Sequence, residues 1–251
     1  MTARFRTLAL VVPALRVRGG LFGRGMRAER VMRADEIEAH TAILATVPAA
    51  VTAWSEGNVA LDPFELRVLG DAVMDRLDRY GSGWWPSPES QEELLAPHAP
   101  PGAWDSVLLV WPGDAGFGGG AWGLTRGATA AAGGAGYSAI TSGSWPAYRT
   151  ATDPAHGFVH EWLHQVESVY RGLGLGPDEL PGLHDVDGRA TTRRPDPDDG
   201  RTYVDWERET GSWRPWYRDL MTGTVGAAPG EREGVRGLTP DRWARRRNPQ
   251  P

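Results

Sequence analysis

At 251 residues the chain is long enough for one large domain with a sizeable core, or for a domain with a subdomain. Its net charge of −5 is mild, and all 27 basic residues are Arg, a balance that gives no sign of a nucleic-acid partner. There is no Cys, so a disulfide framework and thiolate metal ligands are excluded, and any metal must be held by His, Asp or Glu. No apolar run reaches the roughly 18 residues of a membrane span.

Basic residues precede Leu8 to Val12, loosely as in a signal peptide. Arg16 and Arg18 follow without a small-residue cleavage site, so residues 7–17 read as a first strand. Residues 19–32, rich in Gly and Arg, read as a loop. A helix is expected over 34–54, with Ile37, Ile43, Leu44, Val47 and Val51 on one face and Pro48 as a kink. Residues 59–69 read as a strand whose Pro63 places it at an edge or a bulge. Residues 72–80 form a short helix or an irregular lead-in, and 81–86 a loop. Ser87 followed by Pro88 predicts an N-cap and a short helix to about Leu95.

Residues 105–111 are a continuous apolar run between turns and predict the best buried strand of the chain. The Gly-rich stretch 112–136 contains a short strand at 120–125, which could hold an extended peptide by main-chain hydrogen bonds. No phosphate-binding glycine pattern is present. Residues 136–141 predict another strand. Strand, helix, three strands and a long helix, in that order, imply an α+β fold with a mixed sheet covered by the two longer helices. Twelve Trp is a high count. They supply core volume first, and Trp84, Trp85, Trp111, Trp122, Trp145, Trp206, Trp213 and Trp216 are candidates to line a cleft.

The chain is organised around residues 156–171, which contain His160-Glu161-Trp162-Leu163-His164. On a helix, residues four apart share a face, so His160 and His164 can aim at one ion. Glu161, rotated roughly 100° from His160, can reach water at that ion without being a ligand. Two neutral nitrogens, an open position and a carboxylate to take a proton are what a metal hydrolase requires. Val159, Trp162, Leu163, Val166, Val169 and Tyr170 form an apolar stripe beside the His face, and Gly172 and Gly174 end the helix. Pro154 and a possible cap at Asp153 precede it. His156, one turn before His160, is a substrate contact or a solvated helix start.

A third zinc ligand must come from outside the motif. The positions for a tight H-x-x-G-x-x-H extension hold Glu167 and Tyr170, so that spacing is absent. Glu179, His184, Asp185 and Asp187 lie further on. His184 is favoured, because imidazole suits zinc and no other His follows the helix, with Asp185 as ligand or orienting partner. Glu167 is a supporting partner or a solvated residue. Tyr203 or Tyr217 could donate to the oxyanion formed when water attacks a carbonyl. Residues 213–223 read as a short helix ended by Gly223, with Met221 either in the core or beneath the metal.

Through His160, Glu161 and His164 the sequence resembles the zincin superfamily of zinc metallopeptidases. The resemblance implies one zinc ion on His160 and His164 and a general base at Glu161, which would activate a zinc-bound water against the amide bond of a peptide or protein substrate. It also implies a mixed sheet whose edge strand holds the substrate ahead of the metal helix, and an irregular C-terminal subdomain. The expectation is one catalytic domain over 1–251, divided into 1–172 with sheet and metal helix and 173–251 with the third ligand and a basic tail. An amide or ester bond in a small metabolite or glycan-linked peptide is the alternative substrate. A Trp-rich binding module is the non-enzymatic alternative.

Overall fold

The computed structural model describes residues 2–18, 28–80, 83–113, 123–144, 152–183, 202–225 and 235–245. In chain order these form β1 (Ala3–Val11), β2 (Ala14–Val17), β3 (Ala28–Val31), α1 (Ala34–Trp54), β4 (Val59–Val68), β5 (Val73–Met74), β6 (Asp78–Tyr80) and β7 (Gly83–Trp85). There follow α2 (Glu92–Leu95), β8 (Ser106–Trp111), β9 (Gly123–Arg126), β10 (Gly136–Thr141), α3 (His156–Gly172), α4 (Tyr203–Thr210), α5 (Arg214–Thr222) and α6 (Pro240–Arg245). The architecture is α+β with a mixed sheet. Among the described residues no helix is long and apolar enough to cross a membrane.

The main sheet has the order β4-β1-β8-β10-β9. Its first four strands run parallel, and β9 is antiparallel to β10 at the edge. Only residues 127–135 join β9 to β10, too few for the dozen-residue crossover that a parallel pair needs, so the pair must be antiparallel. β8 lies between two parallel neighbours with all six residues buried. That explains its unbroken apolar run, since a strand covered on both faces has no reason to alternate. β4 is the other edge and carries Pro63, opposite a register shift between Phe5 and Thr7. Both features expected from that proline are present.

Each face of the sheet has its own core. On one face, Phe5, Ala9, Val11, Leu108, Val110 and Ile140 pack against α1, α3 and the C-terminal helices. In α1, Ile43, Leu44, Val47, Val51 and Trp54 are buried. Burying such side chains is worth about 1.5–3 kcal/mol each, which outweighs the roughly 3 kcal/mol cost of Pro48 inside the helix. On the other face, Leu8, Leu10, Val107, Leu109, Trp111 and Tyr137 are covered by shorter pieces. These include a small sheet, β3-β2-β5, and the β6-β7 hairpin. The two long helices thus cover one face only.

Several local expectations are corrected. The first strand ends at Val11, and β2 leaves the main sheet for the small one. The loops expected at 19–32 and 81–86 contain β3 and β7. Ser87 caps a turn, its hydroxyl accepting the N–H of Ser90 at 3.0 Å, and α2 begins later, at Glu92. Asp153 does not cap α3 with its side chain; its carboxylate accepts hydrogen bonds from Ser212 and Arg214 instead, tying the helix start to the α4–α5 turn.

Candidate metal centre

α3 presents two faces of opposite character. Phe158, Val159, Trp162, Leu163, Val166 and Tyr170 are buried in the core. His160 and His164 are half-buried, on the line that leads out of it. Their Nε2 atoms stand 3.2 Å apart and their rings lie at 90°. Two nitrogens bound tetrahedrally to one ion at about 2.0–2.1 Å would be roughly 3.3 Å apart, so the pair already has the separation that a shared cation requires.

Nδ1 of His160 lies 2.9 Å from the hydroxyl of Tyr217 on α5. If Nδ1 donates to that oxygen, Nε2 keeps its lone pair for a metal. Orienting hydrogen bonds of this kind are what ligating imidazoles carry. Trp54, at the end of α1, stacks on Tyr217 with ring centroids 6.2 Å apart and holds the phenol in place. Tyr217 therefore meets a candidate ligand, whereas the sequence suggested it as an oxyanion donor. The hydroxyl of Tyr203, the other such candidate, donates to Asp219 at 2.5 Å, in a buried pair that Arg218 also engages.

Glu161 lies against the edge strand β9 and is 3% exposed. Thr125 on β9 donates to its Oε2 at 2.7 Å. Burial pushes the Glu161 carboxyl up to about 7, against the lowering effect of the Thr125 hydrogen bond. Behind it lies a polar chain. Thr125 Oγ1 is 2.7 Å from Ser138 Oγ on β10, and Gln165 Nε2 donates to both Ser138 Oγ and the Val107 carbonyl.

Other residues singled out from the sequence occupy varied places. His156 is buried, not solvated, and burial lowers its pKa to about 4. Glu167 lies one turn past His164, its Oε2 3.9 Å from that ring's Nδ1, and accepts the N–H of Leu183 at 3.2 Å. The Glu179 carboxylate is engaged by Arg242 and by the N–H of Gly176. Met221 is fully buried, and its carbonyl accepts the Trp243 indole N–H. His184, Asp185 and Asp187 lie outside the described residues. Among the described residues no group of three or more His, Asp or Glu is placed to hold a metal.

Thr125 and the orienting position of Tyr217 were not foreseen. Each contact joins residues far apart in sequence, 36 and 57 positions respectively, which no local spacing reveals. Comparison with protein-family models and with curated proteins finds no match to this chain.

Proposed function

We propose that the chain is a zinc-dependent hydrolase of amide bonds, a metallopeptidase of the zincin kind. The observation that carries this reading is the 3.2 Å approach of the His160 and His164 Nε2 atoms on a helix whose next residue is a buried carboxyl. Zincin character is supported by the mixed sheet, whose antiparallel edge strand β9 precedes β10 and α3 in the chain and touches α3 at Glu161.

His160 and His164 would hold the zinc, which when bound polarises a carbonyl and lowers the pKa of water to about 7. His184 is the proposed third ligand, with Asp185 as its alternative. The described chain supports this as far as Leu183, which is buried and tied to Glu167 one turn beyond His164. Glu161 accepts the proton of the water that attacks the amide carbon. It then returns that proton to the departing nitrogen as the carbon–nitrogen bond breaks. A carboxyl poised near 7 suits both transfers, since a group close to the working pH can take and give with similar ease. Tyr217 keeps His160 in the Nδ1–H form throughout.

The test is Glu161→Gln. The variant should keep its zinc and lose turnover of unstructured casein peptides. Turnover equal to that of the unaltered chain would end the assignment. One equivalent of zinc with no peptide cut would end its peptidase part.

A further inference from the structure

We infer that the edge strand β9 positions the general base: Thr125 through its hydroxyl, and Gly123 through the side chain it lacks, together fix the Glu161 carboxylate. This rests on the hydrolase reading for its catalytic meaning, while the geometry stands by itself.

The donors of the polar chain run in one direction. The Val107 carbonyl can only accept, so the Gln165 amide must turn its NH2 toward both Val107 and Ser138. Ser138 Oγ thereby receives a proton and has its own to give. It reaches the Glu161 backbone carbonyl at 3.0 Å or Thr125 Oγ1 at 2.7 Å. Thr125 also has a single proton, and its two acceptors in reach are Glu161 Oε2 at 2.7 Å and the Glu161 backbone carbonyl at 3.2 Å. The nearer oxygen is at ordinary O–H···O distance and the farther lies beyond it, so that proton goes to the carboxyl group. Oε2 is thus turned toward the sheet by a donor anchored on two strands and a helix.

Gly123 confines the other side of the group. A Cβ at position 123 would lie 2.8 Å from the Glu161 Cδ, 2.9 Å from its Oε1 and 2.8 Å from the Ala139 carbonyl oxygen. Any side chain there would have to push both the carboxyl group and the backbone of β9 or β10 out of place. Thr125 and Gly123 lie two apart on one strand and so share a face. With one oxygen bonded and the other seated over bare backbone, the carboxyl plane is set before substrate arrives. Fixed orientation of this kind is what proton transfer in a closed site requires.

Two readouts test the inference. In the zinc-loaded protein acting on casein peptides, Thr125→Val should lower kcat by about 10–100-fold with KM and zinc content unchanged. Thr125→Ser should restore most of the loss. A Thr125→Val protein as fast as the unaltered chain, or a Thr125→Ser protein as slow as Thr125→Val, overturns the positioning role. The second readout needs no turnover. In a double-mutant cycle of Thr125→Val and Glu161→Met, which leaves no oxygen acceptor at position 161, on the zinc-free protein at neutral pH, the unfolding equilibrium constants should depart from additivity by about tenfold. Additive effects overturn the contact. Coupling in a chain that cuts nothing overturns the hydrolase reading and leaves the contact intact.

Discussion

Replacing Glu161 by Gln in the zinc-free protein should cost less stability, relative to the unaltered chain, as the pH rises. The carboxyl titrates near 7 in the fold, raised by burial, against 4.5 for an ordinary glutamate. Between those values the folded chain binds more protons than the unfolded one, so stability falls as pH rises through the window. Below the window the folded group is neutral and its contribution is fully present. Above it, the contribution has been lost. A difference of about 2.5 units, at 1.36 kcal/mol per unit, is about 3 kcal/mol in total, of which roughly 2.5 kcal/mol falls between about pH 5 and pH 8. Gln does not titrate, so the stability of the variant relative to the unaltered chain should rise by that amount over the interval. The fixed cost of placing an amide in the site cancels, as do the titrations common to both proteins. Urea unfolding of the two chains at several pH values measures it. A stability difference that stays constant from about pH 5 to pH 8 would refute the buried carboxyl, raised to about 7, on which the acid–base role depends.

Tyr217→Phe removes the partner of His160 Nδ1 and should weaken zinc binding by about 10–100-fold, read by competition with a chromogenic chelator; unchanged affinity would show that the phenol does not orient the ring. His156, buried and lowered to about 4 from 6.5, contributes stability that is present above 6.5 and lost as pH falls toward 4, about 3 kcal/mol in all. A His156→Gln variant should therefore show a flatter acid limb in urea unfolding, and an unaltered limb would contradict this. Trp243 of α6 is fully buried, stacked on Trp162 with centroids 6.4 Å apart and edge-on to Phe5 and Tyr170. Trp243→Ala should cost about 3–5 kcal/mol in denaturant unfolding, and a loss below about 1 kcal/mol would show that α6 is not part of that core.

The parts of this molecule legible in the sequence are those whose pattern is local. α1 runs over Ala34–Trp54 as its apolar period required, β10 has the predicted limits, and β8 is the central strand that its apolar run announced. α5 stops at a left-handed Gly223, the residue chosen as its end. α4 was missed although it carried a readable signal. Thr202 and Asp205 form a capping box, with the Thr202 hydroxyl accepting the Asp205 N–H at 3.1 Å and Asp205 accepting the Thr202 N–H at 3.1 Å. β5 has two residues and β3 has four, too short for any period to show, and only pairing with β2 makes them strands. In the site, the spacing of His160 and His164 told which nitrogens could converge. What holds His160 and Glu161 could not be read, because Tyr217 and Thr125 reach α3 from other elements of the fold.

The proposed hydrolase depends first on whether the two imidazoles bind one metal ion. Equilibrium dialysis of the unaltered chain against zinc, beside His160→Ala and His164→Ala variants of unchanged fold, measures it. One equivalent held by the unaltered chain and lost in both variants is the predicted result. Less than about a tenth of an equivalent in the unaltered chain, or equal binding in all three, would contradict it.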